Sequence, residues 1–185
     1  MTGLRREAHR SEPDLLSMNQ KTLMFETSAL IDIAKGILER KNQTTGEIAK
    51  LERSIRDGYL KVVYTHIQTD EIQNDDERKA VNELYRKLNA QLIPTEIGVF
   101  GVSKFGSFKL TNDVERQLFE RLRTSGSKIN WIRDLVQALT SVKIDVLVTN
   151  DAGVREAMRQ IRNRIGEEMT CEVLSLNEFR RMSGV

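Results

Sequence analysis

The sequence predicts an α/β domain built on a largely parallel sheet of about five strands. Short apolar runs alternate with longer segments whose apolar residues recur at helical spacing, a pattern typical of parallel strands joined by crossover helices. The chain has 185 residues, and 39% of them are hydrophobic, which is enough for one core. We find no internal repeat. We therefore expect one domain over residues 21–185, preceded by a flexible N-terminal tail over residues 1–20.

The first half of the chain predicts three strands and four helices. Strand-like apolar runs cover residues 22–26, 60–65 and 92–95. Helical spacing covers residues 28–42, 44–58, 65–74 and 75–90. Thr44 and Glu47 form a capping-box pattern at the start of the second helix, and Gly58 is suited to end that helix. Acids in the first turn of the fourth helix complement its dipole.

The second half opens with a segment of different character. Residues 96–110 hold three glycines, three phenylalanines and two lysines without a helical period, and they predict an exposed loop or ribbon. Asn112 with Glu115 predicts a helix to about residue 123, and Asn130 is predicted to cap the next one. The run 144–149 is the clearest strand of the chain. It is followed by a helix over residues 152–164, a strand over residues 172–175 and a short C-terminal helix.

Composition limits the chemistry open to this chain. The single cysteine, Cys171, cannot form an internal disulfide, and His9 and His66 are too few for a Cys/His zinc site. Any metal chemistry must therefore use carboxylates. The net charge of +2 does not by itself indicate a nucleic-acid partner. No run approaches the roughly 20 apolar residues of a membrane span, and the first 20 residues lack a signal-peptide centre, so we expect a cytoplasmic protein.

Two acids fall where parallel sheets bind ligands, outside the carboxyl ends of the strands. Glu26 closes the first strand, and Asp151 follows the strand 144–149 through Thr149 and Asn150. An acid after a strand is also a common helix cap, and that alternative stays open for Asp151. Glu is a poor cap compared with Asp or Ser, so Glu26 favours a buried or functional role.

Two further acids lie on predicted helices. Asp134 stands in the first turn of its helix, at the edge of an apolar stripe, and taken alone it is a simple helix acid. Glu71 is four residues after Ile67 and shares its side of a short helix. A solvated acid is the simplest interpretation of Glu71 by itself.

Together the four acids resemble, in order and spacing, the acidic positions of PIN-domain ribonucleases. The first precedes Thr27-Ser28-Ala29-Leu30-Ile31, the second comes six residues after Thr65, the third is Asp134 with Ala138 four residues on, and the fourth ends Thr149-Asn150-Asp151. The resemblance covers about residues 22–176. The family normally has Asp in the first position, where this chain has Glu26, which keeps the charge but lengthens the side chain.

The resemblance implies a three-layer α/β/α fold and a metal-dependent endonuclease that hydrolyses RNA phosphodiester bonds. Glu26, Glu71, Asp134 and Asp151 would be catalytic and would hold Mg²⁺ or Mn²⁺, ions that prefer oxygen ligands. Crowded carboxylates repel one another, which gives such a cluster a reason to recruit a cation. Ser28, Thr149 and Asn150 are expected to hydrogen-bond the acids from behind. The family also implies an antitoxin partner, because many members are toxins, and a homodimer.

A carboxylate pocket repels RNA, so cations and aromatic side chains should surround it. The expected RNA-binding residues are Lys104, Lys109, Phe105, Arg133 and Arg155. Two simpler interpretations stay open. The phenylalanines of the 96–110 segment also suit a core or a protein-binding surface. Arg155, Arg159 and Arg162 share one helical face, which is usually a solvated face.

Two classes of function therefore compete. One is the metal-dependent ribonuclease, and the other is a catalytically impaired PIN-like module that binds RNA or a protein partner, a hypothesis prompted by Glu26. A generic nucleotide-binding protein is disfavoured, because neither the G-x-G-x-x-G nor the G-x-x-x-x-G-K-[ST] pattern follows any predicted strand.

Overall fold

The computed structural model describes residues 20–99, 102, 103, 108, 113–124, 129–166 and 169–182. These residues form an α/β fold, as predicted, on a sheet of five parallel strands. The strands are β1 (Lys21–Phe25), β2 (Leu60–Tyr64), β3 (Gln91–Leu92), β4 (Val146–Val148) and β5 (Glu172–Leu174). The helices of the described ranges are α1 (Thr27–Leu38), α2 (Asn42–Arg56), α3 (His66–Glu71), α4 (Asp75–Lys87), α5 (Asp113–Arg123), α6 (Ile129–Ser141), α7 (Ala152–Ile165) and α8 (Leu176–Met182).

The strand order is β3-β2-β1-β4-β5, with β1 at the centre. Leu23 of β1 is in register with Val62 of β2 and with Val146 of β4, and both pairings are parallel. The chain therefore builds outward from β1 to β3, then crosses to the other side of β1 to add β4 and β5. This reversal places a crevice between β1 and β4 at their carboxyl ends, which is where open parallel sheets bind ligands.

Helices cover both faces of the sheet, so the fold has three layers. Successive side chains of a strand point to opposite faces. Met24 packs into a core shared with α5, α6 and α7, whereas Leu23 and Phe25 pack into a second core shared with α1, α2, α4 and α8. Leu147 and Val148 of β4 divide between the two cores in the same way. The central strands are apolar on both faces because neither face meets water.

The predicted start of the second helix is wrong, although its predicted end is confirmed. Helix α2 begins at Asn42, and its N-cap Lys41 makes no side-chain cap bond. Thr44 and Glu47 lie inside the helix and are buried. Their polar groups made them look like caps, but they serve tertiary contacts. At the other end Gly58 has φ +79°, and the Tyr59 N–H donates to the Ser54 carbonyl at 3.0 Å, which closes the helix.

Other boundaries differ from the predictions by a few residues. Strand β3 occupies residues 91–92, earlier than the predicted run 92–95, because Pro94 lacks the N–H that a longer strand would use. Helix α6 already includes Ile129, so Asn130 is a helical residue and not its cap. Glu96 and Ile97 are buried, which contradicts an exposed loop at that point. Lys104, Phe105, Lys109 and Asn112 lie outside the described residues, as do residues 1–19 of the predicted tail.

The contact between α1 and α2 depends on a glycine, and this gives a matched test. A Cβ on Gly36 would lie 2.1 Å from Thr44 Oγ1, 3.0 Å from its Cβ and 3.1 Å from its Cγ2, so rotation of the Thr44 side chain gives no relief. Gly36→Ala should lower the free energy of unfolding by about 1–3 kcal/mol. Gly46 in α2 has nothing within 4 Å of such a Cβ. Gly46→Ala should raise stability by about 0.5–1 kcal/mol. Urea denaturation of both variants measures the contrast, and equal effects would contradict it.

Candidate functional site

Glu26 lies at the crevice between β1 and β4, directly after β1. Its N–H donates to the Val148 carbonyl at 2.9 Å, and its side chain is 5% exposed. Oε2 accepts hydrogen bonds from the Ser28 N–H (3.0 Å), the Ser28 hydroxyl (2.5 Å) and the Thr149 hydroxyl (3.0 Å). Glu26 is thus the N-cap of α1, a role that its residue type had argued against. Three donors on one buried oxygen hold the carboxylate in a defined place.

Asp151 holds the equivalent position after β4. It is the N-cap of α7, and its Oδ1 accepts from the Val154 N–H at 2.9 Å. Its own N–H donates to Thr149 Oγ1 at 3.0 Å. The Thr149 hydroxyl therefore links the two acids, because it accepts from Asp151 and donates to Glu26. The cap role considered for Asp151 is observed, and the cap itself holds the carboxylate at the crevice.

Asp134 reaches the same place from α6. A Cβ on Gly153 would lie 2.1 Å from Asp134 Oδ2 and 3.1 Å from Asp151 Oδ1. Both carboxylates therefore lie against Gly153 in the first turn of α7. A side chain at position 153 would collide with Asp134, so glycine is required there for steric reasons rather than for its backbone freedom.

Glu71, at the end of α3, is held by donors on both oxygens. The Thr27 hydroxyl donates to Oε2 at 2.5 Å, and Arg133 Nη1 donates to Oε1 at 3.1 Å. Arg133 was expected to contact RNA, and the structure places it inside the acidic cluster with its side chain 35% exposed. Arg133 is the residue before Asp134 on α6, so the same helix brings both side chains to the cluster.

The charges of the other three acids act on Asp134. Burial, followed by the charges of Asp151, Glu71 and Glu26, raises the pKa of Asp134 to about 7, while the charge of Arg133 opposes this shift. Burial also raises the pKa of Glu26, against the hydrogen bonds from Ser28 and Thr149 that favour its ionised form. The structure thus brings together all four acids singled out in the sequence.

The donor chemistry of this cluster suits a divalent cation. Among the described residues, no hydrogen-bond donor contacts either oxygen of Asp134, Oε1 of Glu26 or Oδ2 of Asp151. Carboxylate oxygens are the ligands that Mg²⁺ and Mn²⁺ prefer, and the carboxylates of Asp134 and Asp151 lie side by side against Gly153. Within the described ranges, no group of three or more Asp, Glu, His or Cys side chains is arranged so that it could hold a metal ion.

The residues expected behind the acids divide into two groups. Ser28 and Thr149 contact Glu26 directly, as predicted. Asn150 contributes only its backbone N–H, which donates to Ser28 Oγ at 3.0 Å. Its side chain turns away from the acids, donating to Asp32 at 2.9 Å and accepting from the Leu176 N–H at 3.1 Å. Asn150 therefore ties the loop after β4 to α1 and α8.

Sequence reasoning missed two residues of this site. Thr27 fixes Glu71, and Gly153 leaves room for Asp134. Both stood next to recognised acids, Thr27 after Glu26 and Gly153 two residues after Asp151. Their proximity to the acids in the sequence was a usable signal. The identity of a threonine or a glycine does not, however, predict which distant side chain it contacts.

A buried polar network lies behind the site. Gln68 of α3 accepts from the N–H (2.6 Å) and the hydroxyl (2.8 Å) of Thr65, completing a capping box, and it donates to the Phe25 carbonyl at 3.3 Å. This links the start of α3 to the last residue of β1. Because α3 carries Glu71, the network fixes the helix relative to Glu26.

The arginines of α7 contact protein groups. Arg155 donates to the Thr149 carbonyl at 3.1 Å and pairs with Glu178 at 3.4 Å. Arg162 donates to the Cys171 carbonyl at 2.7 Å, and Arg159 pairs with Glu156. Arg155 therefore braces the turn after β4, and its expected contact with RNA stays a prediction.

The comparisons with known proteins leave the family of this chain open. No protein-family model, curated protein or solved structure matches it. The likeness to PIN-domain ribonucleases rests on the residues themselves and stays a prediction.

The raised pKa of Asp134 gives a pH test of the cluster. Between pH 3.8, the ordinary pKa of Asp, and about pH 7, Asp134 keeps its proton in the folded state and loses it in the unfolded state. The contribution of Asp134 to the free energy of unfolding therefore falls as the pH rises through this window. Asp134→Asn should therefore raise the urea midpoint at pH 8, and this gain should shrink toward pH 5.

Asp145 provides the opposite case. Its carboxylate accepts from the N–H and hydroxyl of Thr22, both at 2.6 Å, and these bonds lower its pKa. Asp145→Asn should lower the midpoint at pH 8. If Asp134→Asn also lowers it there, Asp134 stabilises the fold and the cluster is not self-repelling.

Proposed function

We propose that this chain is a metal-dependent RNA endonuclease of the PIN type. The observation that carries the proposal is the convergence of Glu26, Asp134 and Asp151 at the crevice between β1 and β4, with the pKa of Asp134 raised to about 7. Such a cluster is unfavourable without a cation, and carboxylate oxygens are of the kind that divalent ions bind.

The hydrogen bonds of the four acids suggest a different role for Glu71 than for the other three. Glu26 Oε1, Asp151 Oδ2 and the Asp134 carboxylate would hold Mg²⁺ or Mn²⁺. The bound ion would lower the pKa of a water and offset the charge that builds on the phosphate. Glu71 has both oxygens engaged by Thr27 and Arg133, so it would orient the attacking water. Arg133 keeps further N–H donors for a phosphate oxygen.

The partners follow from the same proposal. RNA would reach the acids past Arg133, and the expected contacts from Lys104, Phe105 and Lys109 belong to this proposal too. Cleavage would occur in the cytoplasm, with an antitoxin as the controlling partner and a homodimer as the assembly. None of the helices in the described ranges has the length and apolar character to cross a membrane.

A second candidate is a PIN-like module that binds RNA or a protein without cutting. The observation in its favour is that Glu26 Oε2 is occupied by three donors of the chain itself. If these bonds on Oε2 also hold Oε1 away from a metal ion, Asp134 and Asp151 would have to hold the ion alone.

Asparagine variants separate the two candidates. Asp134→Asn and Asp151→Asn should each reduce cleavage of a fluorescent mixed RNA pool by at least about 100-fold, because each removes a metal-binding charge without changing side-chain size. Both should stay folded by circular dichroism. Asp145→Asn is the matched control, since Asp145 lies at the opposite end of β4, and it should cleave at the parent rate. Unchanged cleavage in either site variant would contradict the proposal.

The metal dependence of cleavage in Glu26 variants distinguishes the ribonuclease from the binding module. Its extra methylene moves the carboxylate relative to an Asp, and Mg²⁺ tolerates displaced ligands poorly. We expect faster cleavage with Mn²⁺ than with Mg²⁺, loss of both in Glu26→Gln, and recovery of Mg²⁺-supported cleavage in Glu26→Asp. A parent that cuts with neither metal, beside an active Glu26→Asp, would establish the binding module. Equal cleavage by the parent and Glu26→Gln would remove Glu26 from the site.

A further inference from the structure

A groove lies at the end of the sheet opposite to the acids. It runs between α2, α8 and the starts of β1 and β2, and it encloses about 270 Å³. Leu51, Leu60 and Phe179 form its apolar wall, and Lys21, Lys50 and Arg180 bring positive charge to it. The groove shares no residue with the site between β1 and β4.

The groove is held in shape by buried contacts. Arg180 of α8 forms an ion pair with Glu47 of α2, whose side chain is only 6% exposed. Phe179 packs edge-on against Phe25 of β1, with ring centroids 5.5 Å apart. These contacts join α2, α8 and β1, so the apolar wall belongs to the fold and is not a gap between loose side chains.

The groove selects for an occupant that is both apolar and acidic. Among the described residues, three cationic side chains and one acid line it, and that acid, Glu47, is paired with Arg180. An apolar segment would bury the wall of Leu51, Leu60 and Phe179. Acids beside that segment would lie close to Lys21 and Lys50.

The chain itself carries such a segment directly before Gln20 in the sequence. Residues 11–19 read SEPDLLSMN, with two acids, Glu12 and Asp14, three large apolar residues and no lysine or arginine. The chain leaves this segment at the mouth of the groove, where Gln20 Nε2 donates to the Leu60 carbonyl at 3.3 Å. Nine residues reach at most about 30 Å, enough to turn back along the groove.

We propose that residues 11–19 bind in this groove of their own chain. Leu15 and Leu16 cover Leu51, Leu60 and Phe179, and Glu12 and Asp14 face Lys50 and Lys21. Weak contacts are enough to keep the segment in the groove, because the segment is covalently linked to Gln20 and a short tether gives an effective concentration of about 1 mM. The segment thereby clamps α8 onto α2. The proposal is independent of any activity at the acids.

Hydrogen exchange on the full chain tests the clamp. The double variant Leu15→Asp/Leu16→Asp should lose amide protection in α8 and around Leu51, whereas Leu4→Asp, outside the segment, should not. A free peptide of residues 11–19 should bind the double variant and shift the NMR signals of Leu51, Leu60 and Phe179. If its Kd is about 100 µM, the loss of protection should be about tenfold.

A charge exchange adds specificity to the test. Lys50→Glu should weaken binding of the parent peptide, and a peptide carrying Glu12→Lys should recover it. Equal protection in the parent and the double variant would overturn the proposal. Peptide-induced shifts away from the groove, or the same loss of protection in Leu4→Asp, would also overturn it.

Discussion

The mutual repulsion of four carboxylates crowded at the ends of β1 and β4 is the constraint around which this edge of the molecule is arranged. Glu26 and Asp151 begin helices α1 and α7, whose N-termini carry partial positive charge. Ser28 and Thr149 donate to Glu26, and Arg133 with Thr27 donates to Glu71. Asp134 accepts no hydrogen bond from the described residues, and burial together with the charges of the other three acids raises its pKa to about 7. Asp134 is therefore the acid of this cluster most strongly affected by its surroundings.

The rest of the fold provides the stabilising contacts that hold the acidic edge of the sheet in place. Two apolar cores cover the faces of the sheet, and β1 contributes alternate side chains to both. The network of Thr65 and Gln68 fixes α3 to the end of β1, so Glu71 cannot move away from Glu26 independently. Rigid support of this kind is common where a site must keep unfavourable charges together in advance of its ligand.

The sequence predicted the fold well, and it singled out four acids that the structure places near one another, because both depend on local patterns. Apolar periodicity identified the strands and helices, and acids after strands are easily placed in a parallel sheet. The errors in the predicted helix caps share a cause. The sequence does not distinguish a polar side chain that caps its own helix from one that contacts a distant helix. Thr44 and Glu47 were assigned to a cap but meet Gly36 and Arg180. Glu26 shows the reverse, because it does cap α1 despite its residue type.

The position of β1 at the centre of the sheet affects the order in which the molecule can be completed during synthesis. Thr149, which donates a hydrogen bond to Glu26, comes 123 residues after it in the chain. At 5–20 residues per second the ribosome needs about 6–25 s to supply it. Until then β1 can pair with β2 but presents a bare edge where β4 will lie, a surface open to association with other nascent chains. The acidic cluster therefore cannot assemble until the ribosome has supplied the chain through Asp151.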